Sequence, residues 1–314
     1  MNELDKKLYK ASMKSQDTEE FLDLWFYRPL GFRCALFFRN RGIHPNAITI
    51  ASIFLGIAAG VCFYQPSLRW NILGTLLLMW ANLYDSTDGQ LARITGQKTR
   101  WGRILDGFAG DCWFFCIYFA IAARETFAPI PFAPEHEWGV LIWILCGFCG
   151  FWVHGSQCQL ADYYRNIHLY FIKEENGNEF HDSQAQRKEY AATPWRGNFF
   201  WKIFLNAYIA YVENQERMTP RFQQFIAAVR KNYGTNIPAW LRNEFREGSL
   251  PLMKYTNILT FNSRAIMLCF AMLIGELWLY LFFELVILMA IFIYMQQKHE
   301  RLCRRLTEKI EQEQ

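Results

Sequence analysis

Asp85 and Asp88 stand three positions apart at the end of an apolar run, and Asp106 stands at the beginning of the next one. Residues three apart share one face of a helix, so the first two carboxylates are neighbours, and Asp106 would face them from the following helix. Acidic side chains beside membrane-length segments are costly unless they hold something positive. Hard oxygen ligands suit Mg²⁺, Mn²⁺ or Ca²⁺, so these residues predict a divalent-cation site.

The residues that follow Asp88 suit a substrate that carries phosphate. Mg²⁺ in proteins usually shares its coordination with substrate phosphates. Arg93 can clamp a phosphate oxygen bidentately. Gly89 and Ala92 keep side chains short where a substrate would approach the helix, and Gly102 would give similar clearance on the next helix.

The composition indicates a membrane protein. The chain has 314 residues, of which 52% are hydrophobic and 18% aromatic, yet 20% are charged. The apolar residues must therefore be concentrated in blocks. A net charge of +4 is too small to indicate nucleic-acid binding, and a basic bias beside membrane spans explains it more simply.

Six segments are apolar enough to be predicted membrane spans. The second reaches about 20 residues only if it continues through the segment that contains Asp88 and Arg93. A basic, aromatic stretch from Thr18 to Arg41 is expected to form a helix in the membrane interface, bent by Pro29 and Gly31. The spans are predicted at 48–64, from 71 through 84 and beyond, 104–123, 138–153, 258–274 and 277–294.

The predicted fold class is therefore an all-α integral membrane protein with six transmembrane helices. Six spans place both termini on one side of the membrane. With that side cytoplasmic, the exterior turns hold only Arg69 and Arg124 among 33 Lys and Arg residues, so the termini and the aspartates are predicted to be cytoplasmic. The predicted parts are an N-terminal region (1–45), spans 1–4 (46–157), a cytoplasmic helical insertion (158–257), spans 5 and 6 (258–297) and a charged tail (298–314).

The polar residues follow the spacing D-x-x-D-G-x-x-A-R-x8-G-x3-D-x3-D, which resembles the signature of the CDP-alcohol phosphatidyltransferase family. The six-span plan, the interfacial helix and the Pro45-Asn46-x-x-Thr49 start of span 1 also resemble that family, whereas 158–257 does not. The matching positions are Asp85, Asp88, Gly89, Ala92, Arg93, Gly102 and Asp106.

This resemblance implies a set of ligands and roles. Two divalent ions, Mg²⁺ or Mn²⁺, would be held by Asp85, Asp88 and Asp106. A CDP-linked lipid donor would place its cytidine beside Gly89, Ala92 and Gly102 and its diphosphate at Arg93, and CMP would be released. The resemblance also implies a homodimer.

The sequence departs from the family pattern at the last position. The final aspartate, which acts as general base in the family, should be at 110, but that residue is Gly110, and the carboxylate is Asp111. On a straight helix Asp106 and Asp111 differ by about 140°, against about 40° for a spacing of four. We expect a π-bulge across 107–111 to return Asp111 to the site as base and metal ligand. Gly107 and Gly110 lower the energetic cost of such a bulge. The rival interpretation is that Asp111 turns away and that activity is altered or lost.

Residues elsewhere are weaker candidates. Arg264 at the start of span 5 and Arg165 just past span 4 are predicted to bind an acceptor phosphate, because family members that use a phosphorylated polyol carry Arg residues near here. The alternative for Arg264 is an anchor that reaches the membrane surface. Glu284 lies within span 6, where its distance from the motif favours a structural hydrogen bond, and His154 favours a packed polar residue.

The predicted function is transfer of a phosphatidyl group from CDP-diacylglycerol to a polar hydroxyl acceptor such as inositol or inositol phosphate. One alternative is a CDP-choline or CDP-ethanolamine phosphotransferase with a lipid acceptor. Another is a divalent-cation transporter that uses the aspartates as its ion site. The clustering of the carboxylates at one membrane face is less suited to transport, which would need acidic groups deeper in the membrane.

Overall fold

The computed structural model describes residues 3–13, 17–172, 182–234 and 236–312. The secondary structure is almost entirely helical, which confirms the all-α prediction. The chain forms two compact units. The first contains Met1–Gly155 and Phe261–Ile287, and the second contains Ser156–Thr260 and Leu288–Gln314.

The first unit begins with three helical segments before the first apolar helix. They are α1 (Glu3–Ser12), a π-helical segment (Asp23–Tyr27) and α2 (Arg28–Asn40). The predicted interfacial helix begins at Phe21 rather than Thr18. Its irregularity lies just before Pro29, because a proline ring cannot donate a hydrogen bond and displaces the preceding carbonyl groups. The aromatic side chains of Phe21 and Trp25 are exposed, as an interfacial helix requires.

Three long helices follow: α3 (Pro45–Tyr64), α4 (Leu68–Thr95) and α5 (Arg100–Glu125). Glycines bring α3 against α5. A Cβ atom at Gly56 would lie 2.0 Å from the ring of Trp113, and one at Gly60 would lie 2.8 Å from Cβ of Cys116. Small residues of this kind let two membrane helices approach closely.

The rest of the first unit completes the core around these helices. The turn predicted after span 3 contains a short antiparallel hairpin. Buried side chains of α5 such as Trp113 and Ile117 pack in one core with Leu268 and Tyr280. The remaining elements are β1 (Pro129–Ile130), β2 (Ala133–Glu137), α6 (Gly139–Gly147), a π-helical segment (Phe148–His154) and, further along the chain, α13 (Phe261–Ile274), α14 (Trp278–Phe282) and a π-helical segment (Phe283–Leu288).

The second unit is a helical assembly with an aromatic core, in which Phe171 stacks on Phe245 with ring centroids 4.1 Å apart. The described residues of 158–257 are largely helical, and they include a helix at 183–192 whose sequence contains no large aliphatic residue. The helices are α7 (Gly155–Ile172), α8 (Ser183–Ala192), α9 (Phe199–Met218), α10 (Pro220–Tyr233), α11 (Ala239–Ser249), a 3₁₀ turn (Leu250–Leu252), α12 (Met253–Ile258) and α15 (Met289–Gln312).

Five helical stretches of the described chain are long and apolar enough to cross a membrane: Pro45–Tyr64, Ile104–Glu125, Gly139–Ile172, Ala239–Ile274 and Trp278–Gln312. They contain predicted spans 1, 3, 4, 5 and 6, and they support an integral membrane protein. Helix α4, which contains predicted span 2, is not among them. Its 28 residues extend about 42 Å, but Asn71, Asn82 and the Asp85–Arg93 segment lower its hydropathy. The count of six spans stays a prediction.

The contact between α3 and α5 is testable by adding a single methyl group. Gly56→Ala is expected to lower the free energy of unfolding by about 1–3 kcal/mol because the new Cβ overlaps the Trp113 ring. Thermal unfolding of the full-length protein in detergent measures the change. Gly147→Ala, in a helix with nothing within 4 Å of the new Cβ, is the control and should not be destabilised. Equal unfolding temperatures for Gly56→Ala and the unaltered protein would contradict the packing described.

Candidate active site

Three of the predicted ligands come together in the first unit. Asp85, Asp88 and Asp106 each offer a carboxylate oxygen, and these oxygens all lie within 4.8 Å of one another. Asp88 is buried, Asp85 is half-buried and Asp106 is exposed. The group therefore reaches from the interior of the helices to their surface. Oxygens at this separation can share one or two small divalent cations.

The turn between α4 and α5 explains why the carboxylates meet. Helix α4 ends at Gly96, whose φ of +71° is the left-handed conformation that glycine tolerates, and Thr99 caps α5 by accepting from the backbone N–H of Gly102 at 2.9 Å. Asp88 lies about two turns before this connection and Asp106 about two turns after it. The two side chains are consequently at similar distances from the connection, on two helices that both pack against α3.

Helix α3 orients the buried carboxylate. Thr49 is buried, and its hydroxyl donates to Oδ2 of Asp88. The carbonyl of Pro45 lies 3.3 Å from the same hydroxyl. From the sequence, Thr49 is assigned only to the start of span 1. Its hydrogen bond to Asp88 depends on the packing of α3 against α4 and is seen only in the structure. A hydrogen bond of this kind fixes the direction in which a ligand carboxylate points.

Arg93 lies on α4 within electrostatic range of Asp88 and Asp106. Its Nε donates to the backbone carbonyl of Ser12. Its Nη2 is buried and has no hydrogen-bond partner among the described residues. Leaving a buried charged donor unpaired is expensive, so this nitrogen suits an anionic ligand such as a phosphate.

Small residues beside the carboxylates make room for neighbouring protein groups. A Cβ at Gly89 would lie 3.4 Å from Nη1 of Arg93, so the glycine leaves room for the guanidinium across the helix. Ala92 is three residues further along and shares the face of Gly89. A Cβ at Gly102 would lie 3.1 Å from Oδ1 of Asn46, so that glycine admits the start of α3.

The predicted bulge across 107–111 is wrong. Residues 100–125 form an uninterrupted α-helix. Nothing lies within 4 Å of a Cβ at Gly107 or Gly110, so no neighbouring group forces the helix to give up an i→i−4 hydrogen bond. Asp111 therefore lies about 140° around the helix from Asp106. It is not in the three-carboxylate group but is exposed within electrostatic range of His154. Its roles as base and metal ligand stay predictions, without the bulge on which they depended.

The two candidate acceptor-binding arginines have protein partners. Arg264 is completely buried and forms an ion pair with Glu284, so it is not an anchor at the membrane surface. In the second unit, Nη2 of Arg165 donates to Oδ1 of Asn257 at 3.0 Å, and its buried Nε has no hydrogen-bond partner among the described residues. The acceptor-binding role of both arginines stays a prediction.

The structural hydrogen bond predicted for Glu284 is present and belongs to a larger network. Its carboxylate accepts from the hydroxyls of Tyr118 and Tyr280, the latter at 2.8 Å. Nδ1 of His154 lies 3.4 Å from the same carboxylate. A buried carboxylate with an arginine and two hydroxyl donors has its charge and its lone pairs satisfied, which is what a structural ion pair needs.

The buried pair predicts an asymmetric effect of substitution. Glu284→Gln leaves Arg264 charged and buried, and is expected to cost about 3–5 kcal/mol of stability. The double substitution Arg264→Met/Glu284→Gln removes both charges while Gln can still accept from the tyrosines, so it should be more stable than the single one. Thermal unfolding of the full-length protein in detergent measures both. A single variant as stable as the unaltered protein would show that the pair is not formed.

Comparison with known proteins identifies the part of the chain that contains this site. Residues 42–164 match the family model of CDP-alcohol phosphatidyltransferases. The chain is 40% identical over 70 residues to an uncharacterized protein of Aquifex aeolicus, which is 22% of this chain and 34% of that protein. It is 32% identical over 72 residues to a phosphatidylinositol phosphate synthase of Streptomyces avermitilis, which is 23% of this chain and 29% of that protein.

The matched region spans only about a third of the length of these relatives. The region that matches the family model, 42–164, covers α3, α4 and α5. It therefore contains every member of the three-carboxylate group as well as Arg93 and Thr49. The segment from residue 42 to residue 164 is therefore similar to the CDP-alcohol phosphatidyltransferases.

Proposed function

We propose that the chain transfers a phosphatidyl group from CDP-diacylglycerol to the hydroxyl of a polar alcohol and releases CMP. The observation that carries this proposal is the group formed by Asp85, Asp88 and Asp106 within a matched phosphatidyltransferase domain. The buried Nη2 of Arg93 beside it, which has no hydrogen-bond partner in the described part of the chain, adds a donor for phosphate. Three carboxylates with no nearby hydrogen-bond donor for a phosphate would suit ion binding alone.

The donor set fits divalent cations. Asp85, Asp88 and Asp106 supply the charged oxygen ligands that Mg²⁺ and Mn²⁺ prefer, and the hydroxyl of Thr49 holds Asp88 in place. Such ions, when bound, polarise the attacked phosphorus and neutralise charge on the CMP leaving group. Two ions are expected, and these three aspartates are their proposed ligands.

The residues of the chain then have separate tasks. The guanidinium of Arg93 donates to the diphosphate, and Gly89, Ala92 and Gly102 leave space beside the cytidine. The acceptor oxygen forms the new bond to the phosphatidyl phosphorus, and the bond from that phosphorus to the CMP oxygen breaks, with its electron pair leaving on CMP. The acceptor proton is proposed to pass to the carboxylate of Asp111 as general base.

The acceptor proposed is inositol or inositol phosphate. One relative of the domain is named phosphatidylinositol phosphate synthase, which supports a phosphorylated polyol. Arg165 has an unpartnered buried Nε in the described part of the chain, which suits a phosphate. Arg264 could contribute only after its ion pair with Glu284 opens.

The setting of the reaction is also proposed. The distribution of Lys and Arg supports cytoplasmic termini and a cytoplasmic active site. Six spans would include α4, and the insertion at 158–257 would lie on the cytoplasmic side. Assembly as a homodimer is proposed from the family resemblance alone.

Activity can be tested directly with purified full-length protein. CDP-diacylglycerol, Mg²⁺ or Mn²⁺ and a panel of alcohols are supplied, and CMP release is measured with each acceptor. Release is expected only when a metal and a suitable acceptor are both present. Release from CDP-choline or CDP-ethanolamine with diacylglycerol instead would favour a lipid acceptor. No release from any donor, together with divalent-cation flux in proteoliposomes, would show that the chain is a transporter.

Substitution of the carboxylates tests their assignment. Asp85→Asn and Asp106→Asn are expected to reduce CMP release below detection, because each removes a charged metal ligand. Asp111→Asn is expected to lower the maximal rate by roughly 10²- to 10⁴-fold without changing the metal requirement, as loss of a general base does. Glu137→Gln on the exposed strand β2 is the control. Unchanged turnover in Asp111→Asn would mean that another group accepts the proton.

Thr49 is proposed as a positioning residue, and its effect should appear in metal affinity. Thr49→Val removes the hydroxyl that donates to Asp88 and is expected to raise the Mg²⁺ concentration for half-maximal CMP release by roughly 10- to 100-fold. Thr49→Ser keeps the hydroxyl and should restore the affinity. Thr75→Val on α4 is the matched control, since its hydroxyl donates to the carbonyl of Asn71 on its own helix at 2.9 Å rather than to an aspartate. An unchanged metal requirement in Thr49→Val would contradict this role.

A further inference from the structure

The second unit contains a groove of about 470 Å³ with a basic lining. Lys254, Lys298, Arg301 and Arg305 supply four positive charges, and Tyr255 and Tyr294 supply two aromatic rings. None of the groove's lining residues is acidic. A concave surface with this lining selects an anion that also has an apolar part.

The groove is built by one face of a helix and by a second, short helix. Tyr294, Lys298, Arg301 and Arg305 recur on α15 at intervals of four, three and four residues, so they lie on the same face. Helix α12 supplies Lys254 and Tyr255. The rings of Tyr255 and Tyr294 meet edge to face with centroids 5.2 Å apart, which holds the two helices in register.

The positive charge of the groove is not cancelled by the described protein. The four basic side chains are exposed, and none of them forms a salt bridge within the described residues. Basic residues of α15 that do not line the groove do form salt bridges: Arg304 pairs with Glu308 at 3.8 Å and Lys309 pairs with Glu244. Four like charges on one surface repel one another, so a bound anion stabilises them.

The sequence places these residues where an apolar helix becomes polar. Helix α15 continues the last membrane-length stretch, and its residues are apolar up to Tyr294 and largely polar from Gln296 onward. Helix α12 immediately precedes the apolar α13 in the chain. Tyrosines at such a transition lie at the level of lipid headgroups, and basic side chains beside them attract anionic lipid.

We propose that this groove binds the phosphate headgroup of an anionic membrane phospholipid, a site separate in sequence from the three aspartates. The four basic side chains would contact the phosphate. Pro251 and the exposed ring of Tyr294, which also line the groove, would contact the glycerol and the start of the acyl chains. These apolar walls favour a lipid over free phosphate, because a free ion would leave them in contact with water.

The proposal is tested by lipid binding rather than by turnover. Full-length protein in detergent is titrated with phosphatidylglycerol or with phosphatidylcholine, and bound lipid is counted by native mass spectrometry. Phosphatidylglycerol is expected to bind more tightly. Arg301→Gln/Arg305→Gln should weaken its binding roughly 25-fold, at about fivefold for each charge removed near a membrane surface. Lys254→Gln/Lys298→Gln repeats the test from the other charges of the groove if the first pair folds poorly.

The control removes two charges from the same helix but outside the groove. Arg304→Gln/Lys309→Gln should leave phosphatidylglycerol binding within about twofold of the unaltered protein. An equal loss in this control would show that only general charge attracts the lipid, and the proposal would be wrong. Displacement of phosphatidylglycerol by millimolar inorganic phosphate would overturn it in favour of a free-phosphate site. Retention of lipid under that competition supports the headgroup site.

Discussion

Repulsion among three carboxylates is the constraint on which the first unit depends. Two unit charges 4.8 Å apart repel by about 3 kcal/mol at an effective dielectric constant of 20. The guanidinium of Arg93 offsets only part of three such charges. The helices must therefore be rigid enough to hold Asp85, Asp88 and Asp106 together. Three features contribute to that rigidity: the short turn at Gly96, the hydroxyl of Thr49 and the close contact of α3 with α5. A divalent cation turns the same repulsion into attraction.

Glu284, the buried acid of the π-helical segment at 283–288, has its charge balanced by neighbouring protein groups. Glu284 has an arginine, two tyrosine hydroxyls and a histidine around it, all supplied by the protein. Its charge is balanced within the fold, so it stabilises structure and has no need of a ligand. The aspartate group has the hydroxyl of Thr49 and the guanidinium of Arg93 beside it, and Asp106 is exposed. The acids of this unit thus differ in exposure: Glu284 is enclosed by its partners, whereas the aspartate group reaches the surface.

The parts of this structure that follow from local spacing were predictable. Asp85 and Asp88 share a helix face by their spacing alone, and a short polar turn between two apolar runs is enough to bring Asp106 opposite them. Hydropathy located five of the spans, but α8 has a polar sequence whose helix is stabilised by its surroundings. The pairing of Arg264 with Glu284 joins residues on different helices, and no spacing rule reveals it. The contact of Thr49 with Asp88 likewise needs the packing of α3 on α4.

The error at Asp111 has a physical reason in the packing of α5. Trp113 and Cys116 pack against Gly56 and Gly60, which fixes the rotation of α5 relative to α3. Phe114 and Tyr118 lie on the same face as Asp111, where Phe114 contacts the ring of His154 with centroids 4.2 Å apart and Tyr118 donates to Glu284. A wide turn before residue 111 would rotate both faces away from these partners. Since a bulge would sacrifice two sets of contacts to move one carboxylate, the regular helix is favoured. Any proton that Asp111 accepts must therefore be accepted on the face it shares with Phe114 and Tyr118.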